Sequence, residues 1–123
     1  MTELTPNINS YVVGIVGATG AVGVELIKCL YSRSFPVKNL LLFSSAKSSG
    51  KVVESEFGHI IVQEYTLEKV RECDYVFLAV SGEFAQQNAK LIAADQGPIV
   101  IDNSSAFRYD LDIPLVVRYI VTL

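Results

Sequence analysis

The feature that most constrains the fold is a stretch near the N-terminus, "YVVGIVGATGAVGVEL", residues 11–26. Its first part, residues 12–16, is β-branched except for one glycine, which is typical of a buried strand. Gly17, Gly20 and Gly23 follow at intervals of three, and apolar residues at helical spacing come next. This order predicts a strand, a tight glycine turn and a helix, the opening unit of an α/β fold.

The rest of the chain continues this alternation of strands and helices. The first helix is predicted over residues 21–32, with Val22, Leu26, Ile27 and Leu30 on one apolar face, and Pro36 follows it. The remaining predicted elements are a strand over 39–43, a polar loop over 44–51, a hairpin of 51–57 and 59–65 around Gly58, a helix over 66–73 with Thr66 as N-cap, a strand over 74–80, a helix over 82–97 ending at Gly97, a strand from 98, and an apolar strand over 113–123.

Strands that alternate with helices predict an α/β fold with a Rossmann-like, doubly wound, mostly parallel sheet in a single domain. The 123 residues suffice for one domain, and their 50% hydrophobic and 19% charged composition argues against disorder. The high apolar share suits strands that are covered by helices on both faces.

Charge and hydropathy narrow the functional classes. The net charge of −3, with scattered Lys and Arg, provides no basic patch for nucleic acid. No apolar run approaches the roughly 20 residues that span a bilayer, and the polar start "MTELTPNINS" is unlike a signal peptide. Cys29 and Cys73 have no metal-ligand spacing. We therefore expect a soluble cytoplasmic protein without metal, nucleic-acid partner or membrane partner.

The glycine loop has the form of a phosphate-binding turn. Gly17 permits the tight turn, Gly20 lets the backbone approach a pyrophosphate, and Gly23 lets helix and strand pack closely. The helix N-terminus presents free N–H groups to the anion, and Thr19 adds a hydroxyl donor. The spacing is GxxGxxG rather than GxGxxG, so a junction whose glycines serve packing alone is the alternative.

The loop after the second strand bears on the choice of cofactor. NAD sites usually place a carboxylate there to bind the ribose hydroxyls, whereas this chain reads "SSAKSSGK". Ser45, Lys47 and Ser48 can hydrogen-bond a 2′-phosphate, which a carboxylate would repel. The loop therefore favours NADP over NAD, and the alternative is a solvated turn with an unpaired lysine.

The stretch "IDNSSAFR", residues 101–108, follows a strand at the position where open α/β sheets bind ligands. Asn103 offers a neutral hydrogen-bonding side chain, and Arg108 offers a planar fork for a phosphate or carboxylate. The alternative is a surface ion pair of Arg108 with Asp110 or Asp112. The residues alone leave both interpretations open.

Three segments together resemble the N-terminal half of aspartate-semialdehyde dehydrogenase: "GIVGATGAVGVEL", "SFPVKNLLLFSSAKSSGK" and "VIDNSSAFRYDLDIPLVV". The resemblance runs from about Val12 to Val117. "IDNSSAFR" is its specific part, because the related N-acetyl-glutamyl-phosphate reductases usually carry an "IDLSADFR"-like version. The family converts aspartyl phosphate, with NADPH, to aspartate semialdehyde, NADP and phosphate, a step toward lysine, threonine and methionine.

The resemblance implies roles for individual residues. Residues 19–22, which include Ala21 and Val22, would contact the pyrophosphate, and Lys47 and Ser48 would meet the 2′-phosphate. Lys47 stands where the family usually has arginine. Ser81 and Gly82 match the loop near the nicotinamide, although "AVSGEF" departs from the commoner "SAGG". Asn103 would approach the cofactor, and Arg108 would bind the substrate's phosphate.

The family pattern stops after "PLVV". The family continues with "PEVN" and an "NPNC" segment that carries the nucleophilic cysteine, whereas this chain reads "RYIVTL". The catalytic histidine also belongs to the half not represented here. We interpret Cys29, on the core-facing side of the first helix, and Cys73 as packing residues, and His59 as a solvated residue of the hairpin.

The resemblance therefore implies that residues 1–123 form an NADP-binding domain without the family's catalytic and dimerisation domain. Alone it would bind NADP without catalysing a reaction. Aspartyl phosphate, aspartate semialdehyde and phosphate would be its ligands only with a catalytic domain supplied, and a homo-oligomer stays open. The alternatives are a non-catalytic NADP-sensing binding module and a relative of N-acetyl-glutamyl-phosphate reductase.

Overall fold

The computed structural model describes residues 10–102 and the backbone of residues 120–122. Nearly all of the predicted strands are present within these ranges. The strands are β1 (Tyr11–Val16), β2 (Val37–Ser44), β3 (Val52–Ser55), β4 (Gly58–Ile61), β5 (Gln63–Glu64), β6 (Tyr75–Leu78), β7 (Ile99–Asp102) and β8 (Ile120–Thr122). The helices are α1 (Ala21–Ser32), α2 (Leu67–Val70) and α3 (Gly82–Ala93).

Six of the strands form one parallel sheet in the order β5-β2-β1-β6-β7-β8. The chain starts in the middle, moves outward through α1 to β2, and returns through β6 and α3 to the other side. Because parallel crossovers are right-handed, winding in both directions places α1 and α3 on opposite faces. The predicted Rossmann-like, doubly wound α/β fold is confirmed. Of the predicted last strand, residues 113–119 and residue 123 lie outside the described residues.

Two apolar clusters cover the two faces of the sheet. The cluster under α3 contains Phe43, Leu78 and Ile92, and the cluster under α1 contains Ile15, Ile27 and Leu42. All of these side chains are at most 3% exposed, and neighbouring strand residues alternate between the clusters. Burying apolar area on both faces stabilises such a sheet by roughly 25 cal/mol per Å².

Asp74 joins three strands at the amino end of the sheet. Its backbone N–H donates to the Val12 carbonyl over 2.7 Å, and its carboxylate accepts from the Val12 N–H over 2.8 Å. Its carbonyl accepts from the Ile99 N–H over 3.0 Å. One residue therefore connects β1, β6 and β7 at the end opposite to the glycine loop.

The predicted hairpin is only partly right. Its antiparallel pair is shorter than expected, with β3 opposite β4 and Gly58 at a φ of 107°. The end of the second segment does not continue the hairpin. It turns into β5, which pairs in parallel with the end of β2 at Ser44 and Glu64. The apolar run in "HIIVQEY" gave no signal for this change of partner.

The prediction that the last long helix ends at Gly97 was wrong. The helix α3 ends at Ala93, and Asp95 and Gln96 then adopt positive φ values of 50° and 64°. The guanidinium of Arg71 donates to the carbonyls of Leu91, Ile92 and Ala94 over 2.9, 3.2 and 2.7 Å. A side chain distant in sequence therefore terminates this helix. The short helix α2 also ends early, at Val70, although Thr66 caps it as predicted, with its Oγ1 accepting from the Lys69 N–H.

The predicted apolar face of α1 is confirmed at Ile27 and Leu30 and partly at Leu26, but not at Val22. Gly23, Ile27 and Leu30 are buried, whereas Val22 is 39% exposed. Cys29 is exposed, so its predicted place on the core-facing side was wrong. Gly23 packs closely against the backbone of Gly17 and Ala18, so the side of α1 that carries Gly23 faces the sheet. Residues 27 and 30 lie on the same side, because residues three or four apart share a helix face.

The two cysteines are expected to differ in reactivity. Burial, followed by the Asp74 and Glu72 carboxylates, raises the pKa of the Cys73 thiol to about 12. Exposed Cys29 should therefore react with Ellman's reagent at pH 8, whereas Cys73 should react only after unfolding. Because an unfolded thiol ionises near pH 9, Cys73 stabilises the fold below that pH and loses this contribution as the pH rises toward 12.

A Cys29→Ser variant is the control for this assignment. It should show no rapid reaction while folded and one thiol in denaturant. Rapid reaction of the folded variant would contradict the burial of Cys73.

Candidate functional site

A cleft of about 390 Å³ opens at the carboxyl ends of β1 and β2. This is the edge of a parallel α/β sheet at which ligands bind, beside the point where the strand order reverses. Glycine, hydroxyl and aromatic groups surround it. Its lining residues are Val16, Gly17, Thr19, Ser44, Ser45, Ala46, Ser48, Glu64, Tyr65, Val80 and Phe84.

The three glycines of the loop have different roles. Gly17 has a φ of 86°, and a Cβ there would lie 2.2 Å from the Ala79 carbonyl oxygen. A Cβ at Gly23 would lie 2.6–2.7 Å from the backbone of Gly17 and Ala18, so the helix could not pack as closely. A Cβ at Gly20 would find its nearest atom 3.7 Å away. The loop thus needs Gly17 and Gly23 for its shape, and Gly20 borders open space that suits a phosphate.

The N-terminus of α1 has no side-chain cap. Its N-cap residue is Gly20, which has no side chain to accept from the first turn. At the other two helices, Thr66 and Ser81 accept from the N–H groups of Lys69 and Phe84. The first N–H groups of a helix lack internal acceptors, so those of α1 are available to an anion.

The loop after β2 presents hydroxyl groups to the cleft. Ser45 begins a compact turn in which its carbonyl accepts from the Ser48 N–H over 3.1 Å. Ser45 and Ser48 both line the cleft. Lys47, between them, is exposed and does not line the cleft, although the turn that carries it borders the opening.

An aromatic pair forms another part of the cleft wall. The rings of Tyr65 and Phe84 meet edge to face, with centroids 5.2 Å apart and planes at 76°. The Tyr65 hydroxyl donates to the Asn88 side-chain oxygen over 3.3 Å, and the Asn88 amide donates to the Phe84 carbonyl. Burial raises the pKa of Tyr65, so its hydroxyl remains a neutral donor. The cleft therefore has an apolar wall for a planar ring and a polar wall for anions.

The structure brings together only part of the predicted site residues. Gly17, Thr19, Ser45 and Ser48 line one cleft. The other predicted residues that the structure describes are close in sequence to lining residues but do not line the cleft: Gly20, Ala21, Val22, Lys47, Ser81 and Gly82. The Ser81 hydroxyl already accepts from the α3 backbone. Asn103 and Arg108 lie outside the described residues.

Sequence reasoning missed Glu64, Tyr65 and Phe84 as cleft residues. Glu64 and Tyr65 enter the site because the two-residue strand β5 pairs with the end of β2. A strand this short has no periodicity to detect. Phe84 lies in the first turn of a predicted helix that follows a predicted strand, and this position could have indicated it.

The described part of the chain contains neither a candidate metal-binding cluster nor a helix that could span a membrane. Across residues 10–102, no three His, Cys, Asp or Glu side chains are grouped so that they could hold a metal ion. Among the helices that the structure describes, none has the length and apolar character to cross a membrane.

The parallel sheet, the glycine turn and the uncapped helix define a dinucleotide-binding domain of the Rossmann type. The chain belongs to the semialdehyde dehydrogenase family and corresponds to the family's NAD binding domain, which matches residues 12–121. This membership indicates a nicotinamide dinucleotide as the cofactor.

Related proteins agree with this assignment. The aspartate-semialdehyde dehydrogenase of Campylobacter jejuni is 43% identical over 107 residues, which are 85% of this chain and 31% of that protein. The enzyme of the same name from Synechocystis is 40% identical over 105 residues, with the same coverage of 85% and 31%. The chain thus spans about a third of the length of these relatives, the nucleotide-binding domain.

Solved structures show the same fold. A crystal structure of aspartate semialdehyde dehydrogenase II from Vibrio cholerae, complexed with ASA, matches with a TM-score of 0.75 and 36% identity. The match covers 92% of this chain and 41% of that one. A probable aspartate-semialdehyde dehydrogenase from Pseudomonas aeruginosa matches with a TM-score of 0.64 and 31% identity, over 76% of this chain and 28% of that one.

Proposed function

We propose that this chain is the NADP-binding domain of an aspartate-semialdehyde dehydrogenase. The observation that carries the choice of NADP is the loop after β2. It contributes Ser45 and Ser48 to the cleft, carries Lys47, and contains no carboxylate. Hydroxyl and ammonium donors bind a 2′-phosphate, whereas NAD sites usually have an acidic residue at this point.

Each part of the cleft takes one part of the cofactor. The N–H groups of residues 21 and 22, at the start of α1, hold the pyrophosphate, and Thr19 adds its hydroxyl. Ser45, Lys47 and Ser48 hold the 2′-phosphate. Ser81 and Gly82, at the start of α3, would contact the nicotinamide, and Asn103 would also contact the cofactor. When bound, the nicotinamide supplies or accepts the hydride of the reaction.

The complete reaction is the reductive dephosphorylation of aspartyl phosphate to aspartate semialdehyde and phosphate, in the cytoplasm. Arg108 binds the substrate's phosphate through its planar fork. The nucleophilic cysteine and the catalytic histidine belong to the part of the family that this chain does not match. The residues described here therefore supply NADP binding, and the complete protein works on small-molecule substrates.

Nucleotide titration by calorimetry tests the proposal. We expect the chain to bind NADPH with a micromolar dissociation constant and NADH more weakly. The Lys47→Glu variant should lose about ten- to a hundredfold in NADPH affinity, because a charge-assisted bond is replaced by repulsion. Its affinity for NADH should change little, since NADH lacks the 2′-phosphate.

Lys38→Glu is the matched control, because Lys38 is an exposed lysine near the opposite end of the same strand. This variant makes the same change of charge but should keep the wild-type affinity for both nucleotides. Equal losses in the two variants would attribute the effect to net charge alone. Absence of binding by the wild-type chain would contradict the proposed function.

A further inference from the structure

The cleft contains one carboxylate that the sequence pattern did not indicate. Glu64 is the last residue of β5 and lies beside Ser44 in the parallel register. It lines the same cleft as Ser45 and Ser48. The structure thus brings an acidic residue from the neighbouring strand to the part of the cleft beside the loop after β2, although that loop lacks one.

Backbone hydrogen bonds fix Glu64 relative to that loop. The Tyr65 N–H donates to the Ser44 carbonyl over 2.7 Å, directly after Glu64. The Gly50 N–H donates to the Val62 carbonyl, and the Val62 N–H donates to the Lys51 carbonyl, both over 2.8 Å. The start and the end of the loop are therefore each tied to the segment that carries Glu64.

The charges of Glu64 and Lys47 act in opposite directions at this end of the cleft. Both side chains are exposed, and within the described residues Glu64 makes no ion pair that would cancel its charge. A 2′-phosphate carries a charge near −2 at neutral pH, as other phosphate monoesters do. Lys47 attracts this group and Glu64 repels it. The ribose hydroxyl of NADH is neutral, so both charges affect NADH binding less than NADPH binding.

We propose that Glu64 is a specificity-determining residue of the cofactor cleft and that its carboxylate limits the preference for NADPH over NADH. The inference rests on the proposed function, because it requires nucleotide in this cleft. It adds that selectivity is a balance of two opposite charges from different strands. The chain should therefore discriminate less between the nucleotides than the loop after β2 alone would predict.

The Glu64→Gln variant tests the inference by calorimetry with NADPH and NADH. We expect NADPH to bind about three- to tenfold more tightly than to wild type, the effect of removing one partly screened charge near a phosphate. NADH affinity should stay unchanged or fall, because a carboxylate can accept from the ribose hydroxyls. The gain for NADPH should shrink at 0.5 M salt, because salt screens exposed charges.

Glu54→Gln is the matched control, since Glu54 is an exposed glutamate of β3 and faces a different groove. It should leave both affinities unchanged. An unchanged NADPH affinity in Glu64→Gln, in a wild-type background that binds NADPH, would overturn this inference alone. Equal weakening of both nucleotides would also overturn it, by assigning Glu64 to their shared adenosine. If wild type binds neither nucleotide, the proposed function itself fails.

Discussion

Replacing Gly17 with alanine is expected to lower the free energy of unfolding by about 3 kcal/mol or more and to abolish nucleotide binding. Gly17 has a φ of 86°, a conformation that costs alanine roughly 1–2 kcal/mol. Its new Cβ would also lie 2.2 Å from the Ala79 carbonyl oxygen, so the turn and the adjacent loop must separate. Urea denaturation, followed by circular dichroism, measures the first effect and calorimetry with NADPH the second.

Gly20→Ala provides a control within the same loop. Gly20 has a φ of −82°, which alanine adopts readily, and the nearest atom to its Cβ is 3.7 Å away. This variant should stay within about 1 kcal/mol of wild-type stability and still bind NADPH more weakly, because the methyl group occupies space near the pyrophosphate. Equal stability of the two variants would refute the special role of Gly17.

Replacing Arg71 with methionine is expected to destabilise the fold by about 1.5–3 kcal/mol, the range for hydrogen bonds to a charged group. The Arg71 guanidinium donates to three carbonyls at the end of α3, at 2.7–3.2 Å, and methionine leaves them without this donor. The measurement is again urea denaturation. NADPH affinity should be unchanged, because the cleft lies at the opposite end of this 12-residue helix.

Lys69→Met is the matched control, because Lys69 is an exposed cation on the adjacent α2 helix. Its replacement should change the stability by less than about 0.5 kcal/mol. If both variants lost equal stability, general charge effects rather than the cap on α3 would explain the loss.

The central part of the fold could be predicted because its signals are local. The β-branched run before Gly17 predicts β1, and the helical spacing of apolar residues after Gly20 predicts α1. The predicted bounds lie within one residue of the observed ones. Gly97 misled the prediction of the end of α3, since the termination depends on Arg71, which lies 20 to 23 residues before the carbonyls that it caps. No pattern within the helix contains that information.

The same division applies to the candidate site. Gly17 and Thr19 are predictable because the loop that carries them is continuous in sequence. Glu64 was missed, since it reaches the cleft through the pairing of the two-residue strand β5 with Ser44. Local patterns predict which residues form a turn, whereas lateral strand pairing decides which residues from elsewhere complete the site.

Asp74 makes three hydrogen bonds to neighbouring strands at the amino end of the sheet, two through its backbone and one through its carboxylate, and these have a consequence for how such a domain can diversify. These hydrogen bonds lie at the amino end of the strands, whereas the candidate ligand cleft lies at their carboxyl end. Substitutions at the carboxyl end can therefore change the preferred nucleotide while the strand order and the spacing of β1, β6 and β7 stay the same. Mutations that alter nucleotide selectivity can therefore accumulate at one end of the sheet without disturbing the residues that hold the strands together at the other.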